Sequence, residues 1–272
     1  MTTAAHAKEV AQATYDAASA HFDGASLGFW DRHGAATVAR LDLAAGARVL
    51  DVCCGAGASA LPAARAVGPR GRVVGVDLSE SLLELGRRKA ANAGLGNLAF
   101  QRDDMTNLGL PHASFDAVVC VFGIFFAPDI EAQVRALARL VRPGGTLAFT
   151  VWGPRFFAPL YQPFLAACRH LAPERGEYRP WDRLTSEVEV RALLSRAGFT
   201  DFEVAGATDR EPLTRPDDWW SIVLGTGLRW FVDGLDAARA EALRLECRRH
   251  ARDVAFIETN AIYATVRLCG DR

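Results

Sequence analysis

Arg48-Val49-Leu50-Asp51-Val52-Cys53-Cys54-Gly55-Ala56-Gly57-Ala58-Ser59-Ala60 is the stretch whose reading decides the fold. An apolar run closes on an acid, passes through a glycine-rich turn and enters an alanine-rich helix, read as Ala58 to Val67. That is a strand, a turn and a helix opening a nucleotide-type crevice. Gly55 and Gly57 allow a tight turn and leave no Cβ between backbone and ligand. The helix that follows starts with unpaired N–H groups. Taken alone, the turn could equally be an ordinary strand-to-helix connection.

What lies downstream decides between the two. Gly71-Arg72-Val73-Val74-Gly75-Val76-Asp77 reads as a second strand ending in an acid. The acid sits about 20 residues past the glycines, where dinucleotide-type folds place the carboxylate that takes ribose hydroxyls. Further strand signals follow at Leu98 to Met105, closing on Asp103 and Asp104, at Phe115 to Phe122, and at Arg142 to Trp152. Strands alternating with helical segments at this spacing predict an α/β fold with a parallel sheet.

These residues together resemble the class I S-adenosylmethionine (SAM)-dependent methyltransferases. The likeness is strongest to the small-molecule branch that holds the ubiquinone and menaquinone C-methyltransferases. It is carried by Leu50 to Gly57, Val76-Asp77-Leu78-Ser79, Arg102-Asp103-Asp104-Met105, Ser114-Phe115-Asp116 and Leu140-Val141-Arg142-Pro143-Gly144-Gly145. It covers about residues 45–152. The resemblance implies a Rossmann-like, doubly wound, seven-stranded, mostly parallel sheet in the order 3-2-1-4-5-7-6, with strand seven antiparallel and a helical cap. It implies SAM as cofactor, with Gly55 and Gly57 against its methionine part, Asp77 on the ribose, and Asp104 with Met105 at the adenine. Asp51 would face the methionine ammonium, directly or through water. Cys53, Leu78 and Val121 would complete the cofactor wall. Cys53 stands where the fuller glycine pattern has Gly.

Composition narrows the partners. The 272 residues are half apolar, enough for a substantial core, and the formal net charge is −1 with acids and bases interspersed. No basic block suggests nucleic acid, and no apolar run approaches the length of a membrane span. The first ten residues hold no continuous apolar segment of the secretory kind. Six cysteines without Cys-x-x-Cys spacing read as reduced thiols in a cytoplasmic protein, and no metal site is expected. A small-molecule acceptor is the expected partner, and a homodimer is compatible with the sequence.

The sequence divides into an N-terminal helical lid (1–44), a SAM-binding core (45–152), a cap insertion (153–184), a core helix and strand six (185–206), a second cap insertion (207–258) and a final strand (259–272). The lid helix is read over residues 4–23, with Tyr15, Ala18, His21 and Phe22 on one face. Phe22, Trp30, Phe125, Phe126, Tyr161 and Trp220 are candidate walls of an acceptor pocket, which their rings make apolar and roomy. Each is also a good core residue.

Methyl transfer from a sulfonium needs the acceptor positioned in line, and a base only where a proton must leave. His21 and Tyr15 are the candidate bases, ahead of His33, Tyr161, His170 and His250. The family's amide and base N-methyltransferases carry an Asn/Asp-Pro-Pro-aromatic motif after strand four. Gly123-Ile124-Phe125-Phe126-Ala127-Pro128-Asp129 lacks it. Three rivals remain: a nicotinamide-dependent dehydrogenase, since Gly55 to Ala60 also satisfies Gly-x-Gly-x-x-Ala; an RNA or protein methyltransferase; and a non-catalytic SAM-binding fold member.

Overall fold

Strand β1 (Arg48–Val52) lies at the middle of the sheet, and its alternation sets the two faces. Leu50 and Val52 pack into one apolar cluster and Val49 into the other, as a period of two requires. The structure, a computed structural model, describes residues 4–269. Residues 1–3 and 270–272, which the sequence reading gives to the lid and to the end of the final strand, lie outside the described residues.

Ahead of β1 come helices α1 (Ala4–Ala18) and α2 (Phe29–Val38). The core then winds through α3 (Ala60–Val67), β2 (Arg72–Asp77), α4 (Glu80–Asn92), β3 (Leu98–Arg102), β4 (Phe115–Val121), α5 (Ile130–Ala138) and β5 (Val141–Trp152). α4 starts where Ser79 accepts from the Leu82 N–H, and α5 where Asp129 accepts from the Ala132 N–H. Beyond β5 follow α6 (Tyr161–Leu171), α7 (Glu187–Arg196), β6 (Phe202–Ala207), β7 (Arg210–Pro212), α8 (Asp217–Leu224), α9 (Trp230–Asp233), α10 (Ala237–Ala251), β8 (Phe256–Glu258) and β9 (Ala261–Arg267). Ser186 and Glu189 close a capping box on α7.

The main sheet has seven strands in the order β3-β2-β1-β4-β5-β9-β6. β3, β2, β1, β4 and β5 run parallel, and β9 inserts antiparallel to both β5 and β6. This is the expected order, with β9 as the seventh core strand. Strand order reverses between β1 and β4, so the crevice outside their carboxyl ends is the place where such sheets bind ligands.

Three local features differ from the sequence reading. The first helix stops at Ala18, not at residue 23, and tight turns carry the chain to Gly24. The Pro143-Gly144-Gly145 turn is absorbed into β5, beside a register shift opposite Phe115 and Ala117. The segment between β6 and β9 holds two unforeseen strands, β7 and β8, which pair antiparallel and bring its two ends together. Each has three residues, too few for a period-two pattern to be legible.

Candidate functional site

The carboxyl ends of β1, β2, β3 and β4 open into one cleft of about 1040 Å³, part of it open to solvent. Its floor is the glycine turn. Cys53 has φ +58° and Gly55 φ +52°, both in the left-handed region. Cys53 therefore holds, at the cost of some strain, a conformation that suits glycine better. Gly55 donates its N–H to Asp77 Oδ2 at 2.9 Å, and Ser79 donates its N–H to Oδ1 at 2.9 Å. Both oxygens are thus fixed by backbone and keep a second lone pair for a ligand. Burial pushes the Asp77 carboxyl above its ordinary range, against those N–H bonds and aided by the charge of Asp16. Asp16 of α1 accepts from Ser79 Oγ at 2.6 Å, which docks the first helix on the start of α4.

Asp51 lies one layer below. It is 1% exposed, and its Oδ2 accepts from Ser59 Oγ at 2.7 Å. Its Oδ1 is buried with no partner among the described residues. Burial raises the Asp51 carboxyl to about 7, with Asp77 adding to the rise and the Ser59 bond opposing it. Ser59 lines the cleft, so it stands between Asp51 and a ligand.

On the β3 side, Asp104 forms an ion pair with Lys8 of α1. Its Oδ1 accepts from the Thr106 N–H at 2.9 Å and from Oγ1 at 2.8 Å. Burial pushes this carboxyl up, but Lys8 and Thr106 outweigh it and hold it below the usual range. Met105 is anchored where Gln133 Nε2 donates to its carbonyl at 2.7 Å, and the Cys53 thiol meets its sulfur at 3.5 Å.

The rest of the lining is largely made of rings. Phe22 stacks on Trp30 with centroids 5.4 Å apart and planes 6° apart. Phe122 meets Trp30 edge-on at 5.5 Å, and Tyr15 meets Phe126 edge-on at 5.8 Å. All five line the cleft. The cleft is therefore lined both by carboxylates and backbone and by a set of aromatic rings, with Phe22 packed over the Gly55 turn.

A family model for the methyltransferase domain matches residues 49–145. A demethylmenaquinone methyltransferase of Geobacillus kaustophilus is 34% identical over 177 residues, 61% of this chain and 76% of that protein. The chain belongs to the class I SAM-dependent methyltransferases, of small-molecule type. Its cofactor is accordingly SAM. The aklanonic acid methyltransferase DauC of a Streptomyces species is likewise 34% identical over 165 residues, 61% of this chain and 73% of that protein. The YcgJ protein of Bacillus subtilis shares the fold, with a TM-score of 0.60 at 21% identity over 88% of this chain and all of that one. Among the described residues no helix is long and apolar enough to cross a membrane.

Within this methyltransferase the expected cofactor residues do not all reach the cleft. Cys53, Gly55, Asp77, Leu78, Asp104, Met105 and Val121 line it. Gly57 does not. With φ +89°, it sits where a Cβ would come within 2.2 Å of Leu61 Cδ1 and 3.0 Å of Phe100 Cζ. Its missing side chain lets the turn pack onto α3 and β3. Asp51 is reached only through Ser59.

The acceptor-side candidates divide similarly. Phe22, Trp30 and Phe126 line the cleft. Phe125, the neighbour of Phe126 in the turn Ile124–Phe126, packs its ring against that of Phe126 with centroids 5.0 Å apart, but it is fully buried and absent from the cleft wall. Tyr161 is buried at the start of α6, donating toward Asp182 and accepting from Trp181 Nε1 at 2.8 Å. Trp220 packs against the apolar core and is absent from the cleft wall.

Among the candidate bases, His21 is off the cleft because α1 ends at Ala18 and the chain turns before it. Burial and Arg229 lower its pKa. Tyr15 does line the cleft, but burial, then Tyr178 and Asp77, push its phenol well above the ordinary range. His33 is buried beneath Phe122. Its Nε2 donates to the Thr259 carbonyl at 2.7 Å, and its Nδ1 accepts from Tyr263 at 2.6 Å. Burial lowers it to about 4.

Lys8, Gln12 and Phe122 are wall residues the sequence reading did not single out. Lys8 is 96 positions from its partner Asp104, so no local pattern announces it. Ser59 was within reach, eight positions after Asp51 and inside the turn.

Proposed function

We propose that this methyltransferase transfers the methyl group of SAM to a bulky aromatic small molecule, and that it does so chiefly by positioning. The observation that carries the reading is a single cleft lined both by carboxylates at the strand ends and by five aromatic rings.

On the acidic wall, Asp77 would take the ribose hydroxyls through the lone pairs its backbone bonds leave free. Leu78, Met105 and Val121 would flank the adenine, with Asp104 at its amino group once Lys8 yields. Gly55 and Cys53 would face the methionine part. Asp51 would act on the methionine ammonium through Ser59, and its unpartnered Oδ1 fits a site made to gain a positive neighbour. When bound, SAM supplies a sulfonium-activated methyl group.

The chain's own share is orientation and exclusion of water. Phe22, Trp30, Phe122 and Phe126 would clamp a flat acceptor and keep the site dry. Tyr15 keeps its proton at neutral pH and would serve as a hydrogen-bond donor at the acceptor, not as a base. The relatives' names point the same way, since one acts on a demethylated menaquinone and another on aklanonic acid.

The test is methyl transfer from labelled SAM to a panel of phenols, quinols, aliphatic amines, bulk RNA and basic peptides. Incorporation into the aromatic members is the expected result. Incorporation confined to RNA, peptides or aliphatic amines would overturn the reading.

A further inference from the structure

We propose that Gln133 is a positioning residue for cofactor selection: by holding the Met105 carbonyl it fixes the Asp103-Asp104-Met105 turn, and with it the carboxylate that is to meet the adenine amino group. This rests on the reading above that Asp104 meets that amino group, and deepens it.

Gln133 is out of place by composition. It lies on the buried stripe of α5 with Ile130, Val134 and Leu137, at the i, i+3, i+4, i+7 spacing of an apolar face, and is only 6% exposed. A buried amide needs a partner. Its Nε2 donates to the Met105 carbonyl at 2.7 Å, across 28 positions of sequence. An apolar side chain would fill the same space, so what the amide adds is this one directional bond to the cleft wall.

The segment it holds has little else to fix it. Residues 103–114, between β3 and β4, form neither helix nor strand. The Asp103 N–H reaches the Asp77 carbonyl at 3.1 Å, which ties the segment where it leaves β3. The next bonds are internal: the Asp104 N–H goes to Asp103 Oδ1 at 2.8 Å, and Thr106 donates twice to Asp104 Oδ1. They shape the turn without attaching it to the rest of the molecule. Further along, Leu108 and Leu110 pack on the core. Next to Asp104 itself, the polar ties from outside are Lys8, on Oδ2, and Gln133, on the adjoining residue. Oδ2 is the oxygen that Thr106 leaves free for an adenine amino group, so the Lys8 tie is lost when that group arrives. Gln133 then holds the turn. A hydrogen bond to a carboxylate is strong only when its geometry is kept, so a turn free to swing loses most of the gain from the amino group.

The experiment compares S-adenosylhomocysteine (SAH) with 6-deamino-SAH, in which hydrogen replaces the adenine amino group. Each is titrated by calorimetry into wild type, Gln133→Met and Asp104→Ala, all as the full chain. Wild type is expected to prefer SAH about tenfold. Asp104→Ala should abolish the preference. Gln133→Met should reduce it to within about threefold, with 6-deamino-SAH bound about as in wild type. A merely structural role would weaken both ligands alike and keep their ratio, and an undiminished preference in Gln133→Met overturns the assignment. No preference in wild type, or one that survives Asp104→Ala, overturns the adenine reading itself and takes the inference with it. A second readout needs no variant. In wild type labelled with 15N-glutamine, SAH should slow proton exchange at the Gln133 side-chain amide more than 6-deamino-SAH does, and equal protection would contradict the proposal.

Discussion

The acidic and the aromatic parts of the cleft lining are built in different ways. The acidic wall consists of strand ends and the turns that leave them, and its key carboxylate is held by N–H groups of Gly55 and Ser79. The aromatic wall draws Tyr15, Phe22 and Trp30 from the segment before β1 and Phe122 and Phe126 from the turn after β4. The first is fixed by backbone hydrogen bonds of those turns. The second depends in part on α1 docking through side chains such as Asp16 and Lys8. A constant cofactor and a variable acceptor call for this division, since a rigid scaffold can carry loops and helices that change with the substrate.

Substitutions in the glycine turn give the largest expected effect. Gly57→Ala places a Cβ against Leu61 and Phe100 in a left-handed backbone, so it should lower stability by about 2–4 kcal/mol. Gly55→Ala meets Phe22 only at 3.6 Å and should cost about 1 kcal/mol through its backbone alone. Thermal melts compare the two. If Gly57→Ala melts like wild type and yet loses SAH, then Gly57 belongs to the binding surface after all.

The next effect is pH dependence on the acidic wall. Native Asp51 holds its proton up to about pH 7, whereas the unfolded carboxyl releases it near 4. Between those values the native state binds more protons, so stability falls as pH rises through the window. A cofactor ammonium favours the ionised form. SAH should therefore bind about tenfold more tightly at pH 8 than at pH 6, with proton release on binding. Asp51→Asn should flatten that dependence, and a wild-type affinity that is already flat would remove Asp51 from the account.

Smaller still is the tie between the walls. Lys8→Met removes a partly exposed ion pair, worth about 0–1 kcal/mol. It should speed hydrogen exchange in α1 and change SAH affinity by less than about fivefold. Unchanged exchange would mean that Asp16 and the apolar contacts alone hold the helix. Smallest of all, Tyr15→Phe should lower turnover by less than about threefold if the phenol only positions the acceptor. A loss above about a hundredfold would make Tyr15 a catalytic base despite its high pKa.

The same contrast governs what could be read from the sequence. The glycine turn, Asp77 and Asp104 were legible because each sits at a fixed offset from a strand end, whereas the sheet order came from the family resemblance. Gly57 was visible as a glycine, but whether a glycine admits a ligand or a neighbouring side chain depends on what packs over it. Phe125 and Phe126 are adjacent, chemically alike and in ring contact, yet only Phe126 lines the cleft while Phe125 is buried, a difference of packing that no sequence pattern records. His21 was misplaced by a helix end, because the alanine-rich pattern gives no signal that α1 stops at Ala18. Lys8 could not be read at all, since its partner lies 96 residues away.

The most direct test of the two-wall account is calorimetric titration of SAH into wild type, Asp77→Ala and Trp30→Phe side by side. Asp77→Ala removes the proposed ribose acceptor and strands the Gly55 and Ser79 N–H groups, so SAH affinity should fall by about 3 kcal/mol, roughly a hundredfold. Trp30→Phe should leave it within about twofold. Equal losses in the two variants, or a loss confined to Trp30→Phe, would contradict the division of the cleft into a cofactor wall and an acceptor wall.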